Sequence, residues 1–393
     1  MNSDNSYNIL FLTCWYPLEE NPNFGVYVRE HAKAIQETGN RVAVGRIWAM
    51  PSQKLYDVKR FIHDDGGLQT AEVIIYSRFY KLFRAWWTLL YLLLWPYLRK
   101  NVLPDFQPDL VHSNVLYPAG FIGHQVAKKL NLPHHHTEHW SKTGSFLNSS
   151  PWRKRGRRLV SDAAAIHPVS RFLAESFTPF LQDRNKIQVI PNVVDGELFS
   201  YSPKESSTDK IDLLCVMNFR DKKIPDKKPE VLIEALEKLP KNLQNKFRLS
   251  FIGPNQEGSA VQQMWNRSEI ATEVIFDGLQ PKSYVAKKMN EADFLVHPSQ
   301  METFGVVVAE ALQCGLPCIA TDLPALRELI GEKEGKLVKQ NEVLDWEEAF
   351  QWAAAHKNSF DHAAIARKNS DRFTPQTIGK KYTEAYHQTL ATS

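Results

Sequence analysis

The chain has 393 residues, more than one compact core usually organises, so two domains of similar size with a cleft between them are expected. Its 48 lysines and arginines against 44 acids exclude a protein built to wrap nucleic acid, which needs a basic face. Four cysteines exclude a disulfide framework and read as buried free thiols of a reducing compartment, Cys14 and Cys215 in strand-like runs and Cys314 and Cys318 flanking a Gly-Leu-Pro turn.

The N-terminus, MNSDNSYNILFLT, is polar and acidic before a short apolar run and lacks the basic start of an export signal, so a cytoplasmic location is expected. Strand-like runs then alternate with amphipathic stretches, and Gly, Pro, Asn or Asp mark the joints, the pattern of βαβ units around a parallel sheet. The first half gives strands at Asn8–Thr13, Arg41–Arg46, Asp109–His112, His134–Thr137, Ala164–Val169 and Lys186–Ile190. Asp64-Asp65 in Asp-Asp-Gly-Gly reads as an ordinary turn rather than half of a metal site. His134, His135 and His136 are consecutive in a strand, where alternate side chains face opposite ways, so they do not converge on one ion.

The apolar stretch Ala85–Leu98 is shorter than the roughly 20 residues that cross a bilayer and contains Pro96, so it does not span. Its tryptophans and tyrosines lie among Arg84, Arg99 and Lys100, the make-up of a helix resting on lipid headgroups, and Arg153 to Arg158 add a second basic cluster. Peripheral membrane contact through 84–100 and 153–158, at the inner face, is one reading. A buried helix and a solvated helix face are the other.

A polar stretch, YSPKESSTDK, marks a linker after residue 200. The second series follows with strands at Leu213–Met217, Phe247–Ile252, Val274–Phe276, Phe294–His297 and Cys318–Ala320, and helices at Lys228–Leu239, Pro281–Asn290 and about Gly305–Cys314. The expected domains are therefore 1–200, 201–373 and a tail of 374–393. In that tail Ile378, Tyr382, Ala385 and Tyr386 share one helical face, the mark of a docked helix.

One segment carries chemistry: ADFLVHPSQMETFGVVVAEALQCGLPCIATD. It reads as strand, loop, helix, turn and strand, although Val306-Val307-Val308 alone favours a strand. Glu302 precedes the helix, Gly305 opens it and Glu310 lies about one turn in. The unpaired N–H groups of a helix start favour a phosphate, and a glycine lets it approach. Two flanking carboxylates suit hydroxyl pairs of a ribose and of a sugar.

Glu302, Phe304, Gly305, Glu310, Ala311, Gly315 and Pro317 match the signature of the family-4 retaining glycosyltransferases of GT-B fold, which the chain resembles. Pro191-Asn192 with Asp195 and Phe199, Thr321-Asp322, Glu328 and the tail helix extend the likeness over nearly the whole chain. The resemblance implies an α/β fold of two Rossmann-like domains facing a cleft, with the C-terminal helix docking back on the N-terminal domain. It implies a nucleotide diphosphate sugar as co-substrate and no other cofactor; the sequence holds no Asp-x-Asp triplet, so Lys227, a second cation and the helix end are expected in place of a metal ion.

The donor-binding residues it implies are Gly25, Lys227, Glu302, Phe304, Gly305, Val306 and Glu310, with Glu302 also at the reacting centre. Asn218 stands where the family carries an arginine, and Arg220, two residues on, is the substitute. On the acceptor side the resemblance implies His112 and His139, while Asn114 replaces a second histidine and cannot take a proton at neutral pH. His139 is then the remaining base, unless the leaving phosphate takes the acceptor's proton.

The function so implied is transfer of a hexosyl or N-acetylhexosaminyl group to a lipid-linked or polysaccharide acceptor in cell-envelope glycan synthesis. A nucleotide-sugar epimerase or hydrolase of the same fold, or a non-catalytic nucleotide-sugar-binding protein, is the alternative. The lack of G-x-G-x-x-G after the first strand ranks a dehydrogenase below these alternatives.

Overall fold

The structure is a computed structural model that describes residues 6–18, 24–204, 209–219, 227–254, 256–339 and 342–391. The chain divides into two compact units, Met1–Val193 with Pro375–Ser393, and Val194–Thr374. Each is built on its own sheet.

The first sheet has the order β3-β4-β2-β1-β5-β6-β7, with β1 Asn8–Thr13, β2 Arg41–Pro51, β3 Asp57–Asp65, β4 Leu68–Ser77, β5 Leu110–Asn114, β6 His134–Glu138 and β7 Ala165–Pro168. All pairs are parallel except β3 with β4, a hairpin on the Asp64–Gly67 turn, where Asp64 accepts the Gly67 N–H. This hairpin is absent from the expected elements, because its outer strand is mostly exposed and carries charged residues on both faces. The second sheet has the order β10-β9-β8-β11-β12-β13, with β8 Ile211–Val216, β9 Phe247–Ile252, β10 Glu273–Gly278, β11 Phe294–His297, β12 Cys318–Thr321 and β13 Gly335–Val338. It is wholly parallel, in the 3-2-1-4-5-6 order of a dinucleotide-type fold.

The helices that matter below are α1 Val26–Glu37, α2 Tyr80–Ala85, α3 Trp87–Asn101, α4 Arg153–Asp162, α5 Lys282–Glu291, α6 Val306–Gln313 and α7 Pro375–Leu390. In α7 the expected face, Ile378, Tyr382, Ala385 and Tyr386, is buried, and the helix packs on α1 within the first unit. Gly379 makes this approach possible, since a Cβ there would meet the Ala34 carbonyl oxygen at 2.0 Å.

Two expectations are corrected. Lys186–Ile190 is not a strand: a short helical turn occupies Arg184–Lys186, and the following residues make one bridge, Ile187 to Ile166, at the edge of the sheet. The division between units falls after Val193 rather than after residue 200. The Val194 N–H bonds the Phe373 carbonyl, Ser202 N–H bonds Asn290, and Lys204 pairs with Asp293 at 2.7 Å, so the polar stretch is pinned to the second unit at its start. All four cysteines are buried and free, as expected.

Candidate functional site

In the second sheet the strand order reverses between β8 and β11, and such reversals open a crevice at the carboxyl ends of the strands. The signature segment lies there. β11 ends in His297, the loop carries Glu302, and Gly305 caps α6 with φ +92, a conformation that strains any side chain. A Cβ at Gly305 would also meet Leu326 Cδ2 at 2.5 Å. Val306 to Val308 are helical despite their strand propensity, because Val308, Ala309, Ala311 and Leu312 bury the inner face of α6.

Lys227 returns to this loop by a bridge to Ser299 and donates to Glu302 Oε1, which also accepts from His297 Nε2 at 2.9 Å. Burial opposes ionisation of Glu302, but Lys227 and His297 prevail and hold its carboxyl below the usual range. The ring of His297 is itself buried, which lowers its pKa against the pull of Glu302. Glu310, on α6, has no such partner among the described residues. Burial raises it to about 7, opposed only by the charge of Lys282 on α5. One carboxylate is thus fixed as an anion while the second titrates near neutrality.

Phe304 departs from a donor-facing role. It is buried and packs edge-to-face on Phe373, ring centroids 5.3 Å apart, anchoring the loop rather than lining a binding surface. Val306 is half-buried at the helix start, where its N–H group is among those unpaired within α6. Asn218 is exposed beyond the end of β8, and Arg220 lies outside the described residues.

In the first unit the strand order reverses between β1 and β5. Gly25 sits beyond β1 with φ +67, and a Cβ there would meet the Trp15 carbonyl carbon at 2.4 Å, so this glycine has a backbone reason to exist. Asn114 ends β5, fully buried, and neither amide atom has a hydrogen-bond partner among the described residues. His139 follows β6, buried between Tyr27 and His31 at ring separations of 4.8 and 5.1 Å. Burial, then His31 and His136, drive its pKa well below 6.5.

The acceptor-side expectation for His112 is corrected. Its ring is fully enclosed, Nδ1 bonding the Tyr386 hydroxyl and Nε2 the Thr137 hydroxyl at 2.8 Å, so it fastens α7 to the sheet. The consecutive histidines alternate: His134 and His136 share Ser113 Oγ, whereas His135 bonds His167 and Thr389. Sequence reasoning missed His297 and Lys282. A histidine that ends an otherwise apolar strand at the reversal point is the signal for His297; Lys282 carries none.

Residues 24–198 match the family described as Glycosyltransferase Family 4, and residues 202–371 match Glycosyl transferases group 1. The D-inositol 3-phosphate glycosyltransferase of Gordonia bronchialis is 24% identical over 288 residues, 68% of this chain, and the match spans 63% of that relative's length. Sucrose-phosphate synthase from Thermosynechococcus elongatus superposes with a TM-score of 0.72 at 20% identity, covering 98% of this chain and 100% of that one. HepE of Anabaena, solved with UDP-glucose, superposes at 0.65 and 18% identity, covering 98% and 100%. These last two likenesses concern the fold.

Proposed function

This chain belongs to the group 1, family-4 glycosyltransferases of GT-B fold, and from that premise we propose that it moves a hexosyl or N-acetylhexosaminyl group from a nucleotide diphosphate sugar, with retention at the anomeric carbon and without a metal ion. The acceptor is a lipid-linked or polysaccharide glycan of the cell envelope.

The observation that carries the donor reading is the cluster at the carboxyl end of β11: Lys227, Glu302 and His297 beside the glycine-capped start of α6. A diphosphate at that helix start meets unpaired N–H groups and the Lys227 ammonium. Glu310 accepts from ribose hydroxyls and Glu302 from sugar hydroxyls. The bond from the anomeric carbon to the diphosphate oxygen breaks with its electron pair on that oxygen, and Lys227 and the helix end stabilise the growing charge. The acceptor oxygen bonds to the same face of the anomeric carbon and passes its proton to the departing phosphate oxygen.

A thermal-shift panel of UDP-, GDP- and ADP-sugars tests the reading, because selective binding stabilises the native state by mass action. One nucleotide class should raise Tm, and the Glu310→Ala variant should lose the shift. No shift with any of the three sinks the proposal. Turnover that stops in EDTA and returns with magnesium would overturn its metal-free part.

A further inference from the structure

Of the twelve most exposed large apolar side chains among the described residues, eight fall between Leu55 and Leu92. Of these only Leu92 lies on the helix α3. α3 turns Trp87, Leu90, Leu94 and Leu98 into the core. Phe61 and Ile62 lie on β3 and Leu92 on α3, and the other five collect where β2 and β4 end: Leu55 and Tyr56 on the loop after β2, and Phe79, Leu82 and Trp86 on and around α2, exposed by 48 to 65%. Hydrogen bonds join the two segments, Arg78 N–H to the Lys54 carbonyl and Ser77 Oγ to the Leu55 carbonyl. Trp86 then meets Trp152 edge-on at 6.4 Å, which brings in the start of α4 with exposed Arg153 and Lys154.

Cations are interleaved with these apolar groups. Lys54, Arg78, Lys81, Arg153 and Lys154 are exposed along the same surface, and the acid within it, Asp57, is paired to Lys54 at 2.7 Å. Exposed aromatic and aliphatic tips among lysines and arginines suit a boundary that is apolar below and anionic above, whereas a protein partner of ordinary composition would leave these cations unmatched.

We infer that this surface, residues 54–56, 78–86 and 152–154, docks on anionic lipid headgroups. Because β2, β4, β5 and β6 are parallel, the surface lies at the same carboxyl end of the first sheet as Asn114 and His139. A membrane bound there presents a lipid-borne acceptor to that end of the sheet. This last step rests on the proposed acceptor; the docking itself does not.

The test is co-sedimentation of the full chain with phosphatidylcholine vesicles, with and without phosphatidylglycerol. Wild type should bind only the anionic vesicles, with affinity falling as salt rises. Arg78→Gln and Lys81→Gln should each weaken binding about fivefold, and Phe79→Ser with Leu82→Ser should abolish it. All variants should keep the wild-type Tm and nucleotide-sugar shift, which separates failure of the docking from failure of the donor reading. Equal binding to neutral vesicles, no binding by wild type, or a self-association that these substitutions break while vesicles remain unbound would each overturn the inference.

Discussion

Lys227 donates to Glu302, so the cation assigned to the diphosphate and the acid assigned to the sugar are each other's partner before any ligand arrives. His297 holds the same oxygen from the other strand-end side chain. The pair keeps Glu302 ionised in the loop that leads into α6.

Removing one member should therefore disturb the other. Lys227→Met is expected to lower kcat/KM by about a hundredfold or more, since it removes charge stabilisation made in the transition state. Glu302→Gln should cost a similar factor, and the double variant should lose much less than the product, because each side chain acts partly through its partner. Steady-state kinetics on the four proteins checks this; fully additive losses would show that the pair is incidental.

Glu310 gives a pH signature. Its carboxyl is raised from 4.5 to about 7 by burial, so between those values the folded chain holds a proton that the unfolded chain has released. Stability should fall as pH rises through that window, by up to roughly 1.4 kcal/mol per pH unit from this group. Urea unfolding at either end of the window should show the decline in wild type and its absence in Glu310→Gln. Below pH 7, a nucleotide whose ribose hydroxyls favour the carboxylate should release a proton on binding, measurable by calorimetry in buffers of different ionisation enthalpy.

The bond between His112 and Tyr386 predicts a purely structural effect. Tyr386→Phe leaves a buried imidazole nitrogen without its hydroxyl and should cost about 1–3 kcal/mol in chemical denaturation. The nucleotide-sugar thermal shift, a property of the other unit, should be unchanged in size.

Asn114 predicts the reverse. Neither amide atom has a partner among the described residues, so Asn114→Ala breaks no internal hydrogen bond and should leave Tm unchanged or higher. Its effect should appear as a raised KM for the acceptor at constant KM for the donor. A lower Tm with unaltered kinetics would assign the residue to the core.

The legibility of this chain follows the range of the interactions involved. The parallel strands of both units, α6 and the docked face of α7 rest on apolar spacing and turn residues that act within a few positions, and the sequence alone therefore determined the two-sheet α/β plan and the loop from Glu302 to Glu310. The edge strand β3 escaped because an exposed strand needs no apolar alternation, and β13 because its Gly335 and Lys336 leave only two apolar residues in a row. What only the tertiary structure decided are relations between residues far apart in the chain: that Glu302 is anchored by Lys227 and His297, that Phe304 packs inward on Phe373, that His112 belongs to the α7 seam, and that the exposed aromatic groups gather around α2 rather than along α3. Spacing reports which side of an element is apolar; it does not report which distant side chain arrives to neutralise, bury or expose a given group, because that depends on how the sheets order their strands.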